Sequence, residues 1–210
     1  FKQQRDVAFD QLVTLEASRS ATATANSRIE GLRDELAGAR AQSRDMLGSA
    51  LAGFEWAANI DNDAGMYDPA FTAEIAERIR ALLPHVRELG FTGEIVLTSH
   101  LGRFCLIVDD VGNYQLASDD LPMLSCDYVG HVLEDSNYVG DRVSVEFAQL
   151  MCEQSGTDPE IRLAALEAAG SEILQRYPGT SATAGDWNAA ARANNRVEVR
   201  FEQNATSARN

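Results

Sequence analysis

Ala193-Asn194-Asn195-Arg196-Val197-Glu198-Val199-Arg200-Phe201 is the stretch that decides the fold. Val197, Val199 and Phe201 alternate with Glu198, Arg200 and Glu202, so β-branched and aromatic residues share one face and charges the other. Successive side chains of an extended chain point to opposite faces, and this period of two predicts a strand buried on one side and wet on the other. An Ala-rich run from Asn188 to Ala193 precedes it and a polar tail follows. A strand this late in the sequence finds its partners far upstream, so it reads as a closing strand. Any strand near a chain end shows the same alternation, and its purpose has to come from the rest of the chain.

With 210 residues there is room for one domain of ordinary size and an extension. The chain begins at Phe1 rather than Met, as a fragment or a processed product would. A hydrophobic fraction of 45% is that of a globular protein. The net charge of -14 argues against nucleic acid and against adsorption to an anionic membrane, since both need clustered Lys and Arg. No run of 18 apolar residues exists to span a bilayer, so a membrane anchor, if there is one, is expected upstream of Phe1. The three cysteines, Cys105, Cys126 and Cys152, form no C-x-x-C. In an oxidising compartment the pair best placed to bridge is Cys105 with Cys126, which flank one segment. In a reducing one all three are small apolar residues.

Residues 1–53 lack Pro and are rich in Ala, Glu, Arg, Gln and Leu, which favours helix. From Ile29, the positions Leu32, Leu36, Ala39, Ser43, Met46 and Ala50 recur at spacings of three and four. That is a heptad seam of about three repeats, the lower limit for a coiled coil. Two readings stand: a coiled-coil stalk pairing two chains, or a lone amphipathic helix packed on its own domain.

The second part, 54–210, mixes strands and helices. Phe54 to Ile60 reads as a first strand, and Asp61-Asn62-Asp63-Ala64-Gly65 as a turn. Asp68-Pro69 reads as a helix start. Phe71, Ile75, Ile79, Leu82 and Val86 give that helix one apolar face. Pro84 should kink or tighten its last turn, and Gly90 should end it with a left-handed cap. Gly93 to Thr98 reads as a central strand, apolar on both faces. Phe104–Val108 and Tyr114–Ala117 around Asp109-Asp110-Val111-Gly112-Asn113 read as a hairpin. Asp119, Asp120, Pro122, Gly130 and Gly140 mark an irregular connection, and helix resumes at Asp141. Over Pro159 to Ala168 propensity favours helix. Gly185-Asp186-Trp187 opens a short helix through Ala193, before the closing strand.

These parts carry a resemblance. Asn194-Asn195-Arg196-Val197-Glu198-Val199 resembles the Asn-Arg-Arg-Val-Glu-Ile signature of the OmpA/MotB C-terminal domain, a peptidoglycan-associating module. Thr98-Ser99-His100-Leu101-Gly102 is similar to its strand leading into Gly-His-Thr-Asp, with His100 kept, Ser99 for the Gly and Gly102 for the Asp. Val143-Ser144-Val145-Glu146-Phe147-Ala148 resembles its Leu-Ser-x-x-Arg-Ala helix, with Phe147 in place of the ligand-binding Arg. Gly156 to Leu163 is like the Gly-x-x-Pro-x-Arg-Leu entering its third strand, so here the resemblance argues for strand where propensity argues for helix.

The resemblance spans Phe54 to Glu202 and implies an α+β fold of βαβ type: a sandwich of a small mixed sheet and helices, preceded by the helical stalk. Residues at about 103–140 exceed the family pattern and read as an insertion that carries this member's specific function. The implied peptidoglycan-binding candidates are Ser99, His100, Arg142, Ser144, Asn194 and Arg196. Arg142, five residues before Phe147, is the nearest replacement for the missing Arg, though it points elsewhere on a helix.

No catalytic signature is present: no G-x-S-x-G, P-loop or G-x-G-x-x-G. His85, His100 and His131 lack metal-ligand spacing, so neither metal nor other cofactor is expected. The acidic pairs Asp109-Asp110 and Asp119-Asp120 read as solvated turns. The expected function is therefore non-catalytic: a periplasmic module, tethered to the inner membrane, that anchors a membrane protein to peptidoglycan. Its expected partners are peptidoglycan, a second copy of itself and, as in a motor stator, a proton-channel membrane subunit. The alternative is a protein-interaction or structural module on the same fold that has lost peptidoglycan binding.

Overall fold

The computed structural model describes residues 2–60, 65–134, 143–157, 159–168 and 173–204. They form an α+β chain with four α-helices and two three-stranded sheets among the described residues. The chain divides into two compact units, Phe1–Ser49 and Ala50–Asn210. The first belongs wholly to helix α1, Lys2–Ala58. Its seam residues Ile29, Leu32, Leu36 and Met46 are all exposed in the single chain. No helix among the described residues is long and apolar enough to cross a membrane.

In the second unit the closing strand lies where its alternation requires. β1 (Gly93–His100) is the centre of a sheet ordered β5-β1-β6, parallel to β5 (Ile161–Glu167) and antiparallel to β6 (Arg196–Gln203). Val197 and Val199 are buried, while Arg200 and Glu202 are exposed. Helix α2 (Ala73–Glu88) buries Ile75, Ala76, Ile79, Leu83 and Val86, and helix α3 (Val145–Thr157) buries Phe147 and Leu150. Phe71 and Phe147 stack at 4.8 Å, and Phe91 meets Phe201 edge-on at 5.7 Å. Such ring pairs hold their elements in register beyond simple burial.

A second sheet, ordered β3-β2-β4, is antiparallel throughout: β2 (Phe104–Val108) lies between β3 (Tyr114–Leu116) and β4 (Tyr128–Gly130). The expected hairpin is β2–β3, and the stretch read as irregular adds a third strand. Helix α4 (Ala184–Asn194) is tied to β2. The buried Asn188 carboxamide accepts from the Cys105 N–H at 2.7 Å and donates to the Cys105 carbonyl at 3.4 Å. A disulfide joins Cys105 to Cys126, while Cys152 is free and exposed.

Three expectations are corrected. Phe54 to Ile60 is not a strand but the end of α1 and its closing turn. There Leu51 and Ala58 are buried, and the polar residues of the segment serve the sheet from within the helix. Glu55 Oε1 accepts from Phe201 N–H at 2.7 Å, and Asn59 bonds both N–H and C=O of Val199. Pro159 to Ala168 is not helix but contains β5, because the seven-residue ladder with β1 outweighs propensities worth a few tenths of a kcal/mol per residue. Helix α2 starts at Ala73 rather than at Asp68-Pro69. Phe71 is held extended by a bridge to Val143, and Thr72 then caps the helix by accepting from Ile75 N–H at 3.2 Å.

The glycine cap at the other end of α2 follows expectation. Pro84 lies inside the helix, which runs on to Glu88. Gly90, at φ 70°, then places Phe91 N–H on the Val86 carbonyl and its own N–H on that of Arg87, the paired bonds of a left-handed glycine cap.

Candidate functional site

The antiparallel register of β1 and β6 sets His100 directly opposite Arg196, and Ser99 opposite Val197. The C-terminal end of one strand and the N-terminal end of the other therefore meet at one edge of the sheet. A narrow recess lies there, with no room at rest for a water-sized group. Its lining is Asp68, Ala70, Ser99, His100, Leu101, His131, Asn195 and Arg196.

The polar groups are built in. Ser99, His100, His131 and Asn195 are all buried. His100 Nε2 lies 3.3 Å from Glu198 Oε2, whose other oxygen accepts from Arg200 at 2.9 Å. His131, directly after β4, accepts the Leu133 amide on Nδ1 at 3.1 Å, which puts the proton of its neutral ring on Nε2. Asn195 Oδ1 accepts from Gly102 N–H at 3.1 Å and so closes the loop between β1 and β2 over the start of β6. Asp68, at the rim, accepts from Gly65 N–H at 3.0 Å.

Arg196 is the chemically decisive group. Its Nη1 is buried and has no hydrogen-bond acceptor among the described residues. No ion pair joins it to Asp68 among those residues, although both line the recess. A guanidinium donor held without an acceptor is an incomplete pair, and a carboxylate offers the fork that completes it.

Of the residues singled out in the sequence, Ser99, His100 and Arg196 come together here. Asn194 does not: its carboxamide bonds Gln175 N–H at 2.9 Å and Gln175 C=O at 2.8 Å, which fixes the segment ahead of α4. Ser144 accepts from Phe147 N–H at 3.2 Å and holds the start of α3. Arg142 lies outside the described residues.

The two positions where the resemblance expects ligand groups have local reasons for their identity. A β-carbon on Gly102 would overlap the Ala191 carbonyl oxygen, so no side chain fits there. Phe147 is a core residue stacked on Phe71.

Sequence reasoning missed Asp68, His131 and Asn195. Asp68 carries the pattern of a helix cap, and His131 lies in the segment read as an insertion. Asn195 sat beside Arg196 in the motif and was the only one of the three with a local signal.

No metal-ligating cluster of His, Cys, Asp and Glu occurs among the described residues. Compared with known protein families, curated proteins and solved structures, the chain matches none.

Proposed function

We propose that the second unit is a non-catalytic OmpA/MotB-like module that docks on peptidoglycan through the recess at the β1–β6 end. The single observation that carries this reading is the buried Nη1 of Arg196, which has no acceptor among the described residues, beside Ser99 and His100. Peptidoglycan stem peptides end in carboxylates, the groups that complete such a donor. Asp68, across the recess, receives the ammonium of the same ligand and takes the part that no side chain at Gly102 can play. A carboxylate enters as the side chains lining the recess move apart, since the recess at rest has no room for a water-sized group.

The Cys105–Cys126 disulfide supports an oxidising compartment such as the periplasm. The exposed seam of α1 supports a stalk that pairs two copies, tethered to the inner membrane, as in a motor stator beside a proton-channel subunit.

Gly102 and Phe147 favour the second reading, a protein-interaction module on the same fold that has left peptidoglycan behind. Sedimentation with purified sacculi separates the two. The first reading expects the chain in the pellet at physiological salt; a chain that stays in the supernatant supports the second.

A further inference from the structure

At Val199 and Phe201 the outer edge of β6 is met by side chains. Among the described residues no strand pairs with that edge. Instead the Asn59 side chain donates to Val199 C=O at 2.9 Å and accepts from Val199 N–H at 2.8 Å. Glu55 accepts from Phe201 N–H at 2.7 Å. The end of α1 thus runs antiparallel along β6. Four helical residues rise about 6 Å, close to the two-residue repeat of a strand, so helix side chains can meet alternate amides of the edge.

The segment that does this has the pattern of a strand. In Phe54-Glu55-Trp56-Ala57-Ala58-Asn59-Ile60, the residues Phe54, Trp56, Ala58 and Ile60 alternate with Glu55, Ala57 and Asn59. As helix and turn it leaves Trp56 71% and Ile60 40% exposed. A local pattern that disagrees with the observed element, next to a sheet edge with the matching alternation, offers the same residues a second packing.

We propose that residues 54–60 are a conformational switch: helix in the state described, held by Glu55 and Asn59, and a fourth strand antiparallel to β6 when that latch opens. One register fits both the latch and the side-chain pattern. Trp56 pairs with Phe201, Ala58 with Val199 and Ile60 with Val197, so the apolar residues fall on the buried face of β6. Ala57 then lies opposite Arg200 and Asn59 opposite Glu198, on the wet face. This register falls midway between the two latch contacts. The seven residues lengthen from about 10 Å as helix to about 23 Å as strand, a change passed on to whatever they are joined to.

The test is a cysteine pair, Ala57→Cys with Arg200→Cys, in a Cys152→Ser background that leaves Cys105–Cys126 intact. Arg200 bonds β1 with its backbone, so opposite Ala57 it forms the closer, non-hydrogen-bonded kind of pair, suited to a disulfide. Adding Glu55→Ala and Asn59→Ala should speed oxidative cross-linking at least tenfold. Trp56→Lys, at an exposed position in the last turn of α1 where a cation suits the helix, should slow it at least tenfold. No cross-link in any background, or a rate that either change leaves unaltered, overturns the proposal.

Discussion

Arg196 and Asn188 show how differently two polar side chains of one fold are used. Asn188 is fully paired, its carboxamide closing both backbone bonds of Cys105 in a buried position. Asn188→Ala would strand the buried Cys105 N–H, while the Cys105 C=O keeps the Ala117 amide, and we expect a loss of about 1–3 kcal/mol, read as a lower urea midpoint at unchanged m-value. A loss under about 0.5 kcal/mol would mean that α4 is not tied to β2 through this group.

Asp109 is held by its own turn. It accepts from the Asn113 and Val111 amides and from the Asn113 and Gln115 side chains, and these bonds keep its carboxyl below the ordinary aspartate value, those from Asn113 acting most. A carboxyl whose folded pKa is lowered stabilises the fold fully above the unfolded value of about 3.9 and loses that contribution as pH falls through the folded value. The turn should therefore keep its amide protection at Val111 and Asn113 at pH 5 and lose it on acidification below that carboxylate range. Hydrogen exchange at the two amides measures this, and unchanged protection in Asp109→Ala would contradict it.

At the scale of elements, what was legible in the residues depended on whether local pattern and tertiary demand agreed. They agree at β6, where alternation and burial coincide, and at Gly90, where a glycine stands at the helix end that takes φ above zero. They agree again at the hairpin β2–β3 and at α4. They disagree at β5. Asp-Pro followed by Leu, Ala and Glu is good helix composition, and only the parallel ladder with β1, about 70 residues upstream, makes it a strand.

They also disagree at Phe54 to Ile60, where strand-like alternation lies inside a long helix. The third strand of the second sheet escaped notice because its three residues are too short to show a period. The candidate site was half legible. The motif residues Ser99, His100 and Arg196 meet in the recess, while Asp68 and His131 arrive from segments whose approach no local spacing reveals.

The disulfide belongs to this scale, since it clamps β2 to the segment ahead of β4 across 21 residues. Closing a loop of that length removes unfolded-state entropy worth about 3 kcal/mol. The double variant Cys105→Ala/Cys126→Ala should lower stability by roughly that amount in the same denaturation experiment. Equal stability of oxidised chain and double variant would show the bond to be incidental.

For the molecule as a whole, the proposed pairing of two copies rests on the exposed seam of α1. Ile29, Leu32 and Leu36 recur at three and four residues and are exposed in the single chain, the spacing that a second helix would cover in the proposed stalk. Sedimentation equilibrium should find a reversible dimer, and Leu32→Glu/Leu36→Glu should return it to monomer with the second unit still folded. A parent chain that is monomeric at tens of micromolar would remove the stalk from the account.

The central claim, that the recess beside Arg196 receives a carboxylate of the cell wall, is tested most directly by pelleting the parent chain and Arg196→Ala side by side with purified sacculi. A charge-assisted hydrogen bond is worth about 1.5–3 kcal/mol, so the account predicts that the parent pellets and that the variant binds roughly 10- to 100-fold more weakly. Equal pelleting of the two, or no pelleting of either, would contradict it.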